Sequence, residues 1–285
     1  MEIQKIDLNS PNYPKLLKQI YDPPEQLYVW GDLRTEENYP LAVVGTRKIS
    51  SYGKQVTVDL TRNLAKAGLT IISGLALGVD GLAHQSCLDV GGRTIAVLGS
   101  GLNRIYPALH QKLAERIARS GGAVISEYEP DQGPAKWTFP LRNRIVAGMS
   151  LGTLVIEAPE GSGALITASC SLELGREVFA VPGNIYQQNS FGNNQLIKTG
   201  AKVVTNARDV LDAFNLELAT DKKNIKAANE EEKIILAILA TEPLSIDEII
   251  KQSKSEASII SSTLVMMEMM GKVKHLGGGL YQRAN

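Results

Sequence analysis

Within one short stretch, Trp137-Thr138-Phe139-Pro140-Leu141-Arg142-Asn143-Arg144, the chain places two aromatic rings, two guanidinium groups and an amide, with Lys136 just ahead. Cations neutralise phosphates and flat rings stack on bases, so this mixture is what a single-stranded nucleic-acid surface requires. A buried core segment has no use for it. A helix is expected over 142–150. That helix would hold Arg142 and Arg144 near its N-terminus, where a cation is unfavourable unless an anion sits there. The position favours a phosphate ligand over a solvated run of charge. Trp137 alone could simply pack the loop down.

Other short segments could share that chemistry. Gly45-Thr46-Arg47 combines a glycine, which lets a ligand approach the backbone, with a guanidinium that can grip a phosphate through two hydrogen bonds. Small residues crowd Ser73-Gly74-Leu75-Ala76-Leu77-Gly78-Val79-Asp80, and Asp80 stands where a helix begins, complementing its dipole. Asp80 and His84 fall on one helix face, a spacing open to acid–base work, but a cap and a hydrogen-bonded pair supporting the loop is the simpler reading. Gly99-Ser100-Gly101, followed by Arg104 and Tyr106, is a weaker copy of the theme. After Glu157 comes Gly161-Ser162-Gly163-Ala164-Leu165-Ile166-Thr167-Ala168, a helix start whose free N–H groups suit an anion. The sequence contains no Gly-x-x-x-x-Gly-Lys-Ser/Thr element and no Gly-x-Gly-x-x-Gly after the first run, which argues against a nucleotide-hydrolysing P-loop and a dinucleotide site. No cofactor and no metal are expected.

The elements that must position these loops follow a regular alternation. Short apolar runs occur at Leu41–Gly45, Leu69–Ser73, Thr94–Leu98, Ala123–Ser126, Thr153–Ala158, Val178–Val181 and Lys202–Thr205. Amphipathic helical patterns at 52–67, 79–90, 107–120, 142–150, 163–175, 193–199 and 207–214 separate or follow them. This predicts an α/β fold, a doubly wound, mostly parallel sheet covered on both faces, with ligands at the carboxyl ends of its strands. Residues 1–40 read as a proline- and aromatic-rich arm, with a short helix in Pro14–Tyr21 and an extended piece at Gln26–Trp30. The main domain spans 41–215, a polar linker 216–229, and a small unit 230–285. In that unit, helices at Glu231–Leu239, Ser245–Lys251 and Glu256–Met270 precede a hairpin around Gly277-Gly278-Gly279, a winged helix-turn-helix pattern.

Composition limits the partners. The chain has 30 basic and 30 acidic side chains, so net charge gives no general pull towards nucleic acid and binding must come from local patches. The cysteines, Cys87 and Cys170, are expected as buried free thiols in a reducing compartment. Neither a signal peptide nor an apolar run long enough to span a bilayer is evident, so a soluble cytoplasmic protein without membrane contact is expected.

The ordered set Gly45-Thr46-Arg47, Ser73 to Asp80, Phe139-Pro140-Leu141-Arg142-Asn143-Arg144, Gly161 to Ala168 and Val181-Pro182-Gly183 resembles the DprA/Smf DNA-processing proteins, strongly over residues 13–215 and more loosely beyond. The resemblance implies an extended Rossmann-like domain that binds single-stranded DNA, forms a homodimer, and helps load the RecA recombinase in natural transformation without established catalysis. Single-strand-binding protein is a candidate second partner. By motif, the resemblance gives Arg47 a phosphate and puts Phe139 against a base, with Lys136 holding the strand. Gly45, Ser73 and Gly74, at the strand ends, would belong to the same phosphate-binding set. Arg142 and Arg144 would line a positive pocket, and Ser162, Gly163 and Ala164 would offer helix-start donors. Asp80, His84 and Asn143 would support the loops. About four phosphate contacts would give a salt slope of about −2.8.

Two departures stand out. Many relatives carry a helical SAM-like domain ahead of the arm; with Met1 close ahead of the run at Leu41, that domain is expected to be absent. Residues 230–285 hold six Lys and Arg against eight Asp and Glu, and Glu256–Met270 has no basic residue, so the winged helix is expected to make protein contacts rather than read duplex DNA. An alternative reading is a Rossmann-like nucleotide hydrolase of the phosphoribohydrolase type, with Glu157 or Glu127 as acid–base. Its Pro-Gly-Gly-x-Gly-Thr-x-x-Glu pattern is not matched by Pro159-Glu160-Gly161-Ser162-Gly163-Ala164. A transcription factor acting through the winged helix is disfavoured by that unit's acidic balance.

Overall fold

The computed structural model describes residues 2–216, 227–239, 244–253, 255–270, 272–277 and 279–283. The chain divides into two units, Met1–Leu218 and Ala219–Asn285. The first is built on nine strands: β1 (Gln4–Asp7), β2 (Gln26–Gly31), β3 (Leu41–Val44), β4 (Ile71–Ser73), β5 (Thr94–Val97), β6 (Ala123–Ser126), β7 (Gly152–Val155), β8 (Glu177–Ala180) and β9 (Lys202–Val203). Their order is β1-β2-β6-β5-β4-β3-β7-β8-β9. Strands β3 to β9 pair in parallel, whereas β2 joins β6 antiparallel and β1 joins β2 antiparallel.

The apolar runs form strands because both of their faces are covered. In β3 every residue is buried. Leu41 and Val43 face one layer with Leu64 of α2 (Ser51–Lys66), Ala83 of α3 (Val79–Leu88) and Val210 of α8 (Ala207–Ala213). Ala42 and Val44 face the other, with Ile145 of α5 (Thr138–Gly148) and Ala168 of α6 (Gly163–Glu173). The alternation is the period of two that a pleated strand imposes. A third cluster joins Ala96 and Val124 to Leu113 and Ile117 of α4 (Gln111–Arg119). Residues 1–40 add β1, β2 and the short α1 (Lys15–Lys18) to this unit, and Tyr13, Leu17 and Ile20 enter its core. The remaining helix is α7 (Phe191–Lys198).

From β3 the sheet grows one way to β6 and, from its neighbour β7, the other way to β9. The winding reverses between these two strands, which pair in parallel from Leu41↔Gly152 to Val44↔Val155. Loops leaving their carboxyl ends must diverge, and a crevice opens there.

One helix boundary corrects the sequence expectation. Helix α5 begins at Thr138 rather than at residue 142. Pro140 sits in its first turn, where an N–H would have no intrahelical partner, so the ring costs nothing there. Arg142 and Arg144 therefore lie inside the helix, and the dipole argument for an anion beside them no longer applies.

In the second unit, α9 (Glu230–Ile238), α10 (Ile246–Ser253) and α11 (Ala257–Met269) pack with β10 (Leu244–Ser245), β11 (Val273–Gly277) and β12 (Leu280–Arg283), in strand order β10-β12-β11. Ile235, Ile249, Ile260, Leu264 and Met267 form its core. Ser245 and Glu248 cap α10 reciprocally: Ser245 N–H donates to Glu248 Oε2 at 2.8 Å and Glu248 N–H to Ser245 Oγ at 3.3 Å. Lys272 pairs with the buried Glu232 at the start of α9. On α11, Met267 is buried while Met266 and Met269 are exposed, as is Met270 at its C-cap. Of the expected linker, residues 217–226 lie outside the described residues, as does Gly278 of the hairpin turn. Among the described residues no helix is long and apolar enough to cross a membrane. Both cysteines are free, Cys87 buried and Cys170 half-buried.

Candidate nucleic-acid interface

A cleft of about 620 Å³ opens at the β3/β7 reversal. Loops after β3, β4 and β7 and the first turns of α5 and α6 enclose it, bringing Arg47, Gly74, Lys136, Phe139 and Ser162 to one place. Arg47 and Lys136 are exposed, and among the described residues neither takes part in an ion pair. The Arg47 guanidinium carbon lies 5.3 Å from the centre of the Phe139 ring, within cation–π range. Tyr106 packs at a tilt against the same ring, centroids 5.5 Å apart. Phe139 can lie over the end of β5 because Gly99 has no side chain: a Cβ there would stand 2.9 Å from Phe139 Cδ1. Tyr106, 46% exposed, reads in the sequence only as part of the weaker copy after Gly99-Ser100-Gly101 and is not among the expected site residues, yet it lines the cleft.

Arg142 also borders the cleft but is not free to bind. It is 5% exposed, and its guanidinium donates to Gly74 O at 2.7 Å and to Val97 O. Asp80, also buried, accepts from Gly74 N–H at 3.1 Å. Burial pushes the Asp80 carboxyl above the usual carboxylate range, with Arg142 and the Gly74 N–H pulling the other way. Burial likewise lowers Arg142 to about 10, and Asp80 opposes that. The two side chains clamp the turn after β4 from below. A Cβ on Gly74 would run into the Arg142 guanidinium, so only glycine leaves room for the clamp.

Arg144, expected in the pocket, points away from it. Its guanidinium forks onto Glu127 at 3.0 and 2.7 Å and its Nε donates to Asp22 at 3.1 Å. Two positions along α5 turn a side chain through roughly 200°, since each residue advances about 100°. With Arg142 facing the sheet end, Arg144 must face the arm. Ser73 is likewise withdrawn: it is fully buried and its Oγ donates to Val43 O at 2.6 Å, tying β4 to β3. His84 does not pair with Asp80. Its Nδ1 lies 2.7 Å from Thr94 Oγ1, at the first residue of β5, and burial lowers its pKa to about 3, helped by His110 and Arg142.

The second wall is the start of α6. Ser162 caps it, its Oγ accepting from Ala164 N–H at 3.3 Å, and Gly163 opens the helix towards the cleft. Asn143 holds this wall in place, donating from Nδ2 to Gly163 O at 3.1 Å. A carbonyl at a helix start is thereby fixed from the neighbouring helix. Of the expected donors, Ser162 N–H is taken by Pro159 O at 3.1 Å and Ala164 N–H by Ser162 Oγ, so among the described residues only Gly163 N–H of that turn is left for an anion. Gly45 borders the cleft between the walls.

The carboxylates of the hydrolase reading are engaged elsewhere. Glu157 is 3% exposed and accepts from Ser50 N–H at 3.0 Å, Ser50 Oγ and Asn189 Nδ2 at 3.2 Å, which fastens the start of α2 to the end of β7. Glu127 is committed to Arg144. The acidic group at the cleft mouth is instead the exposed Glu160.

A doubly wound sheet that gathers exposed cations, an aromatic ring and a helix start at its switch point has the architecture of an α/β protein with a candidate anion site. Residues 4–215 match the family model for DNA recombination-mediator protein A, and residues 219–279 that for the DprA winged helix domain. The chain belongs to this family, as the ordered motifs indicate. It is 39% identical to protein Smf of Escherichia coli, covering 96% of this chain and 76% of the relative. It is 43% identical to the DNA processing protein DprA of Bacillus subtilis, covering 74% and 71%. The solved DNA processing protein A of Streptococcus pneumoniae superposes with a TM-score of 0.70 at 40% identity, over 76% of this chain and 75% of that one. That of Helicobacter pylori, described for its single-stranded DNA binding mode, gives 0.67 at 32%, over 76% and 98%.

Proposed function

We propose that the chain is a non-catalytic single-stranded DNA-binding protein that protects incoming single strands and helps load the RecA recombinase during natural transformation. One observation carries the reading. The unpaired Arg47 and Lys136 share one cleft with Phe139 and the open start of α6. Phosphates take the cations and the helix start, and a base takes the ring; each stacked base contributes roughly 1–3 kcal/mol. The Helicobacter pylori relative supports the choice of single-stranded DNA. Arg47, Lys136 and Phe139 contact the strand, and Asp80, Arg142 and Asn143 hold the walls. A homodimer places two such clefts on one flexible strand and gains effective concentration.

The test is fluorescence anisotropy of labelled single- and double-stranded oligonucleotides across a salt series, beside a sizing measurement. Preference for the single strand that Arg47→Ala abolishes is expected. Equal binding of duplex, or an unaffected Arg47→Ala protein, would sink the reading. RecA loading is tested separately, by strand exchange on a single strand precoated with single-strand-binding protein.

A further inference from the structure

Beyond the cleft lies an unclaimed patch. The loop from β8 to α7 carries Ile185 at 79% exposure and Tyr186 at 88%, and α7 opens with Phe191 at 53%. With Pro159 and Glu160 these form a shallow depression of about 320 Å³. Pro159 and Glu160 also border the main cleft, so the two hollows share a rim. Large apolar rings held out in water on a surface loop mark a binding surface more often than a packing need.

We infer that this ledge is a second base-stacking subsite, onto which a single strand continues after leaving the cleft over Pro159 and Glu160. The inference rests on the single-strand reading of the cleft. Three features favour a nucleic-acid strand over a protein partner. The ledge is continuous with the cleft through shared residues. Its rings are flanked by the amides of Gln187 and Gln188, which serve bases and sugars as donors and acceptors. A basic residue is held close by through its backbone: Asn189 donates from Nδ2 to the Lys48 carbonyl at 3.0 Å, and the Lys48 side chain is exposed and in no ion pair among the described residues. Lys48 follows Arg47 directly, so the basic charge of the cleft extends towards the loop.

Glu160 sets the orientation at the crossing. A carboxylate repels phosphate but accepts from exocyclic amino groups of bases. The strand therefore crosses the shared rim with base edges towards Glu160 and phosphates outward, towards Lys48.

The test compares a short single strand of about six nucleotides, sized for the cleft, with one of about fifteen, within the range of single-strand site sizes. Three proteins are measured: wild type, Tyr186→Ala/Phe191→Ala, and Arg47→Ala. All the substituted side chains are exposed, so folding is not at stake. Wild type is expected to bind the longer strand more tightly, and the ledge variant to lose roughly tenfold on the longer strand while matching wild type on the short one. Tyr186→Phe, which keeps the ring, should bind as wild type. An unchanged ledge variant on the longer strand overturns the inference while leaving the cleft intact. Arg47→Ala without effect on either strand overturns the cleft reading instead. A ledge variant that changes the sizing profile but not DNA binding assigns the patch to a second copy of the chain and overturns the inference.

Discussion

Arg47, in the loop after β3, and Phe139, in the first turn of α5, are far apart in sequence, yet the guanidinium carbon of one stands 5.3 Å from the ring centre of the other. The ring orients the cation, and the cation covers part of the face that a base would use. The two cannot act independently. Arg47→Ala and Phe139→Ala should each weaken single-strand binding by about 1–3 kcal/mol, and the double variant should lose less than their sum. A double-mutant cycle by anisotropy measures this directly.

Salt dependence should report the number of free cations. Arg142 and Arg144 are spoken for by protein acceptors, which leaves Arg47 and Lys136 in the cleft. At about −0.7 per neutralised phosphate, these two give a slope of about −1.4 for a short strand rather than about −2.8. Affinity for that strand should fall about sevenfold between 50 and 200 mM salt.

Arg144→Ala separates stability from binding. It leaves Glu127 without its two-pronged donor and should cost about 1.5–3 kcal/mol of folding stability. The salt slope should stay unchanged. Thermal melts and salt titrations of the same protein provide both readouts.

Gly74→Ala should act on Arg142 rather than on a ligand. The added methyl displaces the guanidinium from Gly74 O and Val97 O. Overpacking and the lost bonds together predict about 1–3 kcal/mol of destabilisation, seen in denaturant unfolding.

His84 predicts a pH effect of defined sign. Burial first, then His110 and Arg142, lower its pKa from 6.5 to about 3. Between these values the unfolded chain binds a proton that the folded chain does not, so stability falls as pH falls through that window, by about 1.4 kcal/mol per unit. At and above neutral pH the contribution is fully present. His84→Gln should flatten this acid limb relative to wild type in urea titrations at several pH values.

The alternation of apolar runs and helical patterns made the parallel sheet legible, because strands buried on both faces leave an uninterrupted apolar signature, as at Leu41 to Val44. Glycines and Arg47 at strand ends made the cleft legible for the same reason: chemistry gathers where such strands stop. Direction around a helix was not legible. Arg142 and Arg144 read alike as charges, and only the true start of α5, concealed by Pro140, decides which meets the sheet and which meets Glu127. Strand β2 was legible as the extended piece at Gln26–Trp30, whereas the edge strand β1 was not, because edge pairing rests on backbone hydrogen bonds that any side chain permits. Ile185, Tyr186 and Phe191 gave no periodic signal at all, since nothing packs against a ring held in solvent.

The reversal between β3 and β7 also orders events in time. A ribosome releases Val44 long before its sheet partner Val155, and everything from α2 to α5 must emerge between them. The half-sheet from β3 to β6 can pair as it appears, but the crevice has no second wall until Gly163 has left the exit tunnel. A nascent chain stalled before that point would present the unpaired edge of β3, against which β7 belongs. For that interval the future binding site is an open strand edge, and it is the place where a chaperone or a wrong partner would find this protein.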